Sequence, residues 1–206
     1  MQYFNELSKK VNSKDIFEFE YELLDKKFIF KSHQNLFSKN RVDKGSEILI
    51  ETVITGFDLI NKDVMDLGCG YGPIGIILAK FFSDSRICMA DTTSQAIEMT
   101  KKNIYKNKIK SDVNVIKSDL FQNINKDKKF DFIITNPPIR AGKDMLKKLF
   151  YQASQHLNKE GKIIFVIRKN HGLKSIREYL ESIGFKTKII NKKSGYFIVV
   201  CEIGID

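Results

Sequence analysis

From residue 63 onward, two kinds of apolar spacing alternate along the chain. Short runs, Val64-Met65-Asp66-Leu67, Arg86 to Ala90, Val113 to Ile116, Phe130 to Thr135 and Lys162 to Arg168, read as strands. Between them, near 73–82, 94–107, 144–157 and 173–182, apolar residues recur at helical spacing. Pro73 suits a first helical turn, Ser94 is a candidate cap, and Gly184 suits the position just past the last of these helices. Two final strand candidates, Phe185 to Ile190 and Tyr196 to Glu202, flank Lys192-Lys193-Ser194-Gly195, and so short a link implies an antiparallel hairpin. Upstream, 16–31 reads as another hairpin: Ile16, Phe17, Phe19, Tyr21 and Leu23 go out, Asp25-Lys26-Lys27 turns, and Phe28-Ile29-Phe30 returns. Residues 45–60, with Ile48, Leu49, Val53 and Phe57 on one side, predict a helix with Ser46 as its cap.

Strands alternating with helices predict an α/β fold, a doubly wound, Rossmann-like sheet. The 206 residues suit one such domain, over 46–206, with 1–45 as a short hairpin-and-helix extension packed on it. Ligands of doubly wound sheets bind at the carboxyl ends of the strands, near the switch in strand order. That rule collects Gly68 to Gly72, Asp91, Asp119 and Asn136, at the ends of four successive strands, along one rim.

Composition narrows the setting. A hydrophobic fraction of 42% with 29% charged residues is that of a soluble globular protein, and no apolar run nears the ~18 residues that span a bilayer. The segment Met1-Gln2-Tyr3-Phe4-Asn5-Glu6 has no apolar signal-peptide core. Cys69, Cys88 and Cys201 form no C-x-x-C pair, so buried thiols in a cytoplasmic protein are expected rather than disulfides or a structural metal. His33, His156 and His171 are too dispersed for a ligand set and are expected to be structural or surface residues. The net charge of +10 is uneven: 46–100 carries −5, whereas 101–129 carries +6 and 140–206 carries +8. Such basic segments favour a polyanionic partner, although a lysine-rich composition alone gives the same excess.

The rim residues then specify chemistry. Gly68, Gly70 and Gly72 let backbone approach a ligand and aim a helix N-terminus at it. Asp91, 21 residues past Gly70, ends the next strand, where a carboxylate can accept both ribose hydroxyls. Asp66, just before the glycines, would repel a pyrophosphate but suits the ammonium and sulfonium of S-adenosylmethionine. Asp119 can accept from an adenine amino group, with Leu120 and Phe121 packing on the base.

Asn136-Pro137-Pro138-Ile139 adds a second centre. Two prolines end the strand, and the residue before them is pushed to extended geometry. A stiff amide and bare backbone carbonyls result, suited to hold an –NH2 group. A conjugated exocyclic amine is a poor nucleophile because its lone pair is delocalised. Acceptors at Asn136 Oδ1 and the Pro137 carbonyl would turn that lone pair toward a methyl group and meet the developing positive charge with little reorganisation. No metal is needed.

With these motifs assembled, Val64 to Gly75, Asp91, Ser118-Asp119-Leu120-Phe121 and Asn136 to Lys143, the chain over about 35–203 resembles class I S-adenosylmethionine-dependent methyltransferases of the methyltransferase small domain family. Bacterial 16S ribosomal RNA guanine-N2 methyltransferases typify that family. Asp43-x-Gly45-Ser46 resembles the segment that borders cofactor and substrate there. The resemblance implies a seven-stranded sheet with an antiparallel last strand, S-adenosylmethionine as methyl donor, and ribosomal RNA or a ribosomal subunit as partner. It assigns Asn136, Pro137 and Pro138 to catalysis. Asp66, Gly68, Gly70, Gly72, Asp91, Asp119 and Leu120 fall to the cofactor, and Ile139, Arg140 and Lys143 to the substrate. Where many Asn-Pro-Pro enzymes have an aromatic fourth residue, Ile139 offers no π face, so stacking on the base falls to Phe37 or Tyr71. Protein glutamine and adenine N6 are alternative acceptors. An RNA-associated assembly factor that binds cofactor without turnover is the alternative outside catalysis.

Overall fold

Side chains that alternate along each buried strand leave the sheet on opposite faces, and here both faces are covered. The computed structural model describes residues 15–170 and 172–204. In chain order the elements are β1 (Ile16–Leu23), β2 (Lys26–His33), α1 (Lys44–Gly56), β3 (Asp63–Leu67), α2 (Pro73–Phe81), β4 (Arg86–Asp91), α3 (Ser94–Lys106), β5 (Asp112–Lys117), β6 (Phe130–Thr135), α4 (Lys143–Gln155), β7 (Leu157–Arg168), α5 (Leu173–Ser182), β8 (Phe185–Lys193) and β9 (Tyr196–Ile203). Seven strands form one sheet in the order β5-β4-β3-β6-β7-β9-β8. β5, β4, β3, β6 and β7 run parallel, and the last strand, β9, runs antiparallel between β7 and β8. The strand order reverses between β3 and β6, so the switch point lies between the glycine turn and Asn136.

Period-two alternation divides the core into two layers. Val64, Phe132, Ile134, Ile164 and Val166 pack with α1, α2 and the β1–β2 hairpin, whereas Met65, Ile133, Ile163, Phe165 and Ile167 pack with α4 and α5. The hairpin is fastened by side-chain amides. Asn103 Oδ1 accepts from Lys31 N at 2.7 Å and its Nδ2 donates to Lys31 O at 2.8 Å. Asn107 repeats the exchange with Ile29 at 2.9 and 2.8 Å. One residue in the last turn of α3 and its C-cap, four apart, thus serve two residues two apart on a strand, satisfying an edge that would otherwise be open.

Several local expectations shift. The first hairpin turns at Leu24-Asp25, both at positive φ, and not at Asp25-Lys26-Lys27, because Lys26 and Lys27 already pair with Leu23 and Glu22. The second turns at Ser194-Gly195, also at positive φ, with Lys192 and Lys193 kept in β8 opposite Phe197 and Tyr196. The α1 cap is Asp43, whose carboxylate accepts from Gly45 N and Ser46 N; Ser46 itself lies inside the first turn. α3 is capped by Thr93, while the Ser94 hydroxyl accepts from Lys117 Nζ at 2.8 Å.

Candidate active site

Hydrogen bonds sew the strand ends into one rim. Gly68 N and Cys69 N both donate to the carbonyl of Ala90 at 2.9 Å, so the turn after β3 lies over the end of β4. Gly70 N donates to Asp91 Oδ2 at 3.0 Å, and Ser118 N to the Asp91 carbonyl at 2.9 Å. On the other side, the buried Thr135 hydroxyl donates to the Leu67 carbonyl at 2.7 Å, fixing the end of β6 against the start of the glycine turn. Asp66, Gly68 to Gly72, Asp91, Asp119 and Asn136 therefore sit along contiguous strand ends.

Gly68 and Gly70 have φ of +77° and +59°, a conformation that penalises any side chain. A Cβ at either would meet nothing within 4 Å, so the backbone there borders open space of the kind a ligand occupies. From below, α3 holds the turn, with the Thr100 hydroxyl donating to Gly70 O at 2.9 Å and Asn103 Nδ2 to Tyr71 O at 2.8 Å.

Asp66 is fully buried under the turn. Its Oδ2 accepts from Gly75 N in the first turn of α2 at 2.8 Å, while Oδ1 has no hydrogen-bond partner. Burial pushes its carboxyl up to about 7; repulsion from Asp91 adds to the rise and the Gly75 hydrogen bond opposes it. A buried orphan acceptor beneath a glycine turn matches a cationic group that donates hydrogen bonds, directly or through water. Asp91 keeps its carboxylate at the surface end of β4, with Oδ1 accepting from Thr93 N at 3.0 Å. Asp119 is exposed and its Oδ2 meets Lys148 Nζ at 3.3 Å. Leu120 is buried at φ +50°. Phe121 stacks on His156, centroids 4.5 Å apart and planes 11° apart, so its ring packs inside the protein rather than on the rim.

Asn136 is the most constrained amide of the rim. Nδ2 donates to Asp43 Oδ2 at 3.1 Å and to Ser46 Oγ at 2.9 Å. Asp43 Oδ2 also takes Gly45 N at 2.9 Å and Ser46 N at 3.2 Å. An oxygen accepting three N–H bonds can face only the amide nitrogen of Asn136, so the amide's orientation is fixed and Asn136 Oδ1 is left as an acceptor without a partner among the described residues. The neighbouring carbonyls are less bare than the sequence implies. Pro138, at φ −74° and ψ 77°, closes a tight turn in which Ile139 N donates to Pro137 O at 2.8 Å, and Ala141 N donates to Pro138 O at 2.9 Å. Pro137 O retains one lone pair. Ile139 to Ala141 form a single 3-10 turn, which places Arg140 and Lys143 on the exposed surface just beyond.

The two stacking candidates part company. Tyr71 is buried, packs edge-on against Phe19 and Phe30, and donates its hydroxyl to Arg41 O at 2.9 Å. Phe37 is 72% exposed, in the loop leading to Asp43. His33 and His156 are buried, each with its Nδ1 engaged by backbone; His171 lies outside the described residues.

Two features escape sequence reasoning. One is the clasp of Asp43 and Ser46 on Asn136, whose members are 93 and 90 residues apart from it. The other is Tyr196, whose ring lies 2.9 Å from where a Gly45 Cβ would stand and whose hydroxyl accepts from Arg168 at 2.9 Å. The Asp-x-Gly-Ser signature was the only visible trace of either.

Among known proteins, the family model described as methyltransferase small domain matches residues 27–200. The Bacillus subtilis protein YbxB, described as uncharacterized, is 38% identical over 179 residues, which cover 87% of this chain and 88% of that protein. The Haemophilus influenzae ribosomal RNA small subunit methyltransferase C is 36% identical over 135 residues, 64% of this chain but only 39% of the relative. In structure, the T. thermophilus 16S rRNA N2 G1207 methyltransferase, solved with AdoMet and guanosine, superposes with a TM-score of 0.80 at 21% identity, over 91% of this chain and 50% of that one. A ribosomal protein L11 methylase from Lactobacillus delbrueckii subsp. bulgaricus gives 0.66 at 21% identity, over 82% of each chain.

Proposed function

This chain belongs to the methyltransferase small domain family, and from that premise we propose that it methylates an exocyclic amine of RNA, the N2 of a guanine in ribosomal RNA. The observation that carries the reading is the clasped amide: Asn136 Nδ2 is consumed by Asp43 and Ser46, which leaves Oδ1 as the amide's free acceptor at the end of β6 among the described residues. S-adenosylmethionine is the methyl donor, supplying an electrophilic methyl on a good leaving group.

The residues fit that donor. Asp66 Oδ1 is the orphan acceptor for its ammonium, directly or through water, and Gly68 and Gly70 give its body room beside backbone, whereas Gly72, expected to join them, faces Ile76 and Thr100 instead. Asp91 accepts from its ribose hydroxyls. Asp119 would accept from its adenine amino group through the oxygen that Lys148 leaves free, and Leu120 would add apolar surface for the base.

On the acceptor side, Asn136 Oδ1 and the spare lone pair of Pro137 O take the two N–H bonds of the amine. That rotates its lone pair out of conjugation and stabilises the charge that grows as the new bond forms. Both acceptors are held before substrate arrives, one by the clasp and one by two consecutive prolines, so little reorganisation accompanies reaction. Pro138 keeps the turn closed. Ile139 packs on the base, and Arg140 and Lys143 meet phosphates. Exposed cations without an ion pair among the described residues, Arg140 and Lys143 after β6, Lys169 just past β7, and Lys39 and Arg41 in the loop leading to Asp43, favour RNA over a neutral protein acceptor.

The test is incubation of the protein with labelled methyl donor and RNA from a strain lacking the gene, followed by nucleoside mass spectrometry. N2-methylguanosine in ribosomal RNA is expected. Label in protein, in adenosine or nowhere would sink the proposal, the last favouring a binding factor. Asn136→Ala is expected to lower turnover by ~10²-fold or more while leaving S-adenosylhomocysteine binding intact.

A further inference from the structure

The clasp that fixes Asn136 leaves a second acceptor beside it. Asp43 uses Oδ2 for all three of its hydrogen bonds, to Gly45 N, Ser46 N and Asn136 Nδ2. Neither Asp43 Oδ1 nor Asn136 Oδ1 has a partner among the described residues, and both side chains are half-buried, with neither oxygen a buried orphan. Two acceptor oxygens thus stand on side chains one hydrogen bond apart, where the cap of α1 meets the end of β6. Neither side chain can turn to offer a donor instead, since Asp43 has none and Asn136 has both amide hydrogens engaged.

We propose that Asp43 reads the base, accepting the N1–H of guanine through Oδ1 while Asn136 Oδ1 accepts from the N2 amine. This rests on the function proposed above and extends it to the choice of base. Of the common bases with an exocyclic amine, guanine alone sets a ring N–H donor next to that amine. Adenine has a ring acceptor at N1 and cytosine one at N3. Either would place a lone pair against the carboxylate oxygen, leaving two unsatisfied acceptors face to face. A side-chain amide of glutamine has no second donor to fill the position. Selectivity absent from Ile139, which packs on any base, is thereby supplied from the cap of α1. The cap also makes the reader stiff: its far oxygen is tied to two backbone N–H groups of a helix whose Ile48, Leu49 and Val53 are fully buried.

The experiment measures equilibrium binding of free nucleosides to the full chain saturated with S-adenosylhomocysteine. Guanosine is compared with 2-aminopurine riboside, which keeps the N2 amine but has a bare acceptor at N1. Wild type is expected to prefer guanosine by at least ~10-fold, the scale of one hydrogen bond to a charged group. Asp43→Asn keeps a capping oxygen for Gly45, Ser46 and Asn136 but turns an N–H2 outward. It is expected to bring the two nucleosides within about threefold of each other or to invert their order. Asn136→Ala is the control, since it removes an acceptor that both nucleosides use and is expected to weaken both while preserving the wild-type ratio. An unchanged ratio in Asp43→Asn, or no preference in wild type, overturns the assignment of Asp43 and leaves amine methylation standing. Adenosine bound more tightly than guanosine by wild type overturns both.

Discussion

Asp66 sits where its surroundings work against its charge. With its folded carboxyl raised to about 7 from an ordinary value near 4, the folded state holds a proton that the unfolded chain has lost. Stability contributed at this position is therefore present below the unfolded value and lost as pH rises through about 7. Replacing it with Asn removes the buried charge, so Asp66→Asn is expected to raise Tm by a few degrees at pH 8 and by much less at pH 5, as followed by differential scanning fluorimetry. The same variant should lose most of its affinity for S-adenosylmethionine. A cationic donor binds the ionised carboxylate best, so wild-type affinity is expected to rise between pH 6 and 8, which isothermal titration across that range checks. Equal gains in Tm at both pH values would show that Asp66 carries no charge penalty. From the sequence Asp66 was legible as an acid before a glycine turn. Its bond to Gly75 and its orphaned oxygen were not, because they depend on how α2 returns over β3.

At the scale of elements, the rim was legible where local chemistry decides. Pro73 opens α2, Gly184 follows α5, and a short run does mark each parallel strand. The misplaced turns share one cause, since cross-strand pairing drew Lys26, Lys27, Lys192 and Lys193 into strands, which intrinsic turn preference does not foresee. Tertiary packing likewise decided which aromatics face solvent, enclosing Tyr71 and Phe121 and leaving Phe37 out. The junction of α1 with β9 is a further case. Gly45 is required by approach rather than by its backbone angle, with Asp43 Oδ2 and Tyr196 Cε1 each 2.9 Å from where a Cβ would lie. Gly45→Ala must therefore push the capping carboxylate or the tyrosine aside. A loss of about 1–3 kcal/mol in stability is expected by chemical denaturation. Turnover should fall further than that loss explains, because Asn136 loses its anchor. A variant of ordinary stability and full turnover would mean that the clasp tolerates movement.

Across the whole molecule, charge is unevenly spread along the chain. The span that holds the glycine turn and Asp91 is net acidic, whereas the span after Asn136 is net basic at +8. RNA binding is accordingly expected to weaken steeply with salt. Arg140→Ala should reduce the slope of log affinity against log salt by about 1 without changing cofactor affinity. An unaltered slope in a filter-binding titration would remove Arg140 from the phosphate path. One buried side chain ties the rim to the hairpin. Asn103 joins the backbone of Lys31 in the hairpin to the carbonyl of Tyr71 in the glycine turn. The hairpin consequently has no cheap way to open alone, since lifting β2 strands an amide in the core next to the turn that the methyl donor would occupy. In hydrogen-exchange terms, the amide proton of Lys31 is expected to be protected for as long as Asn103 holds both partners, and occupancy of the glycine turn to slow its exchange from the far side of α3.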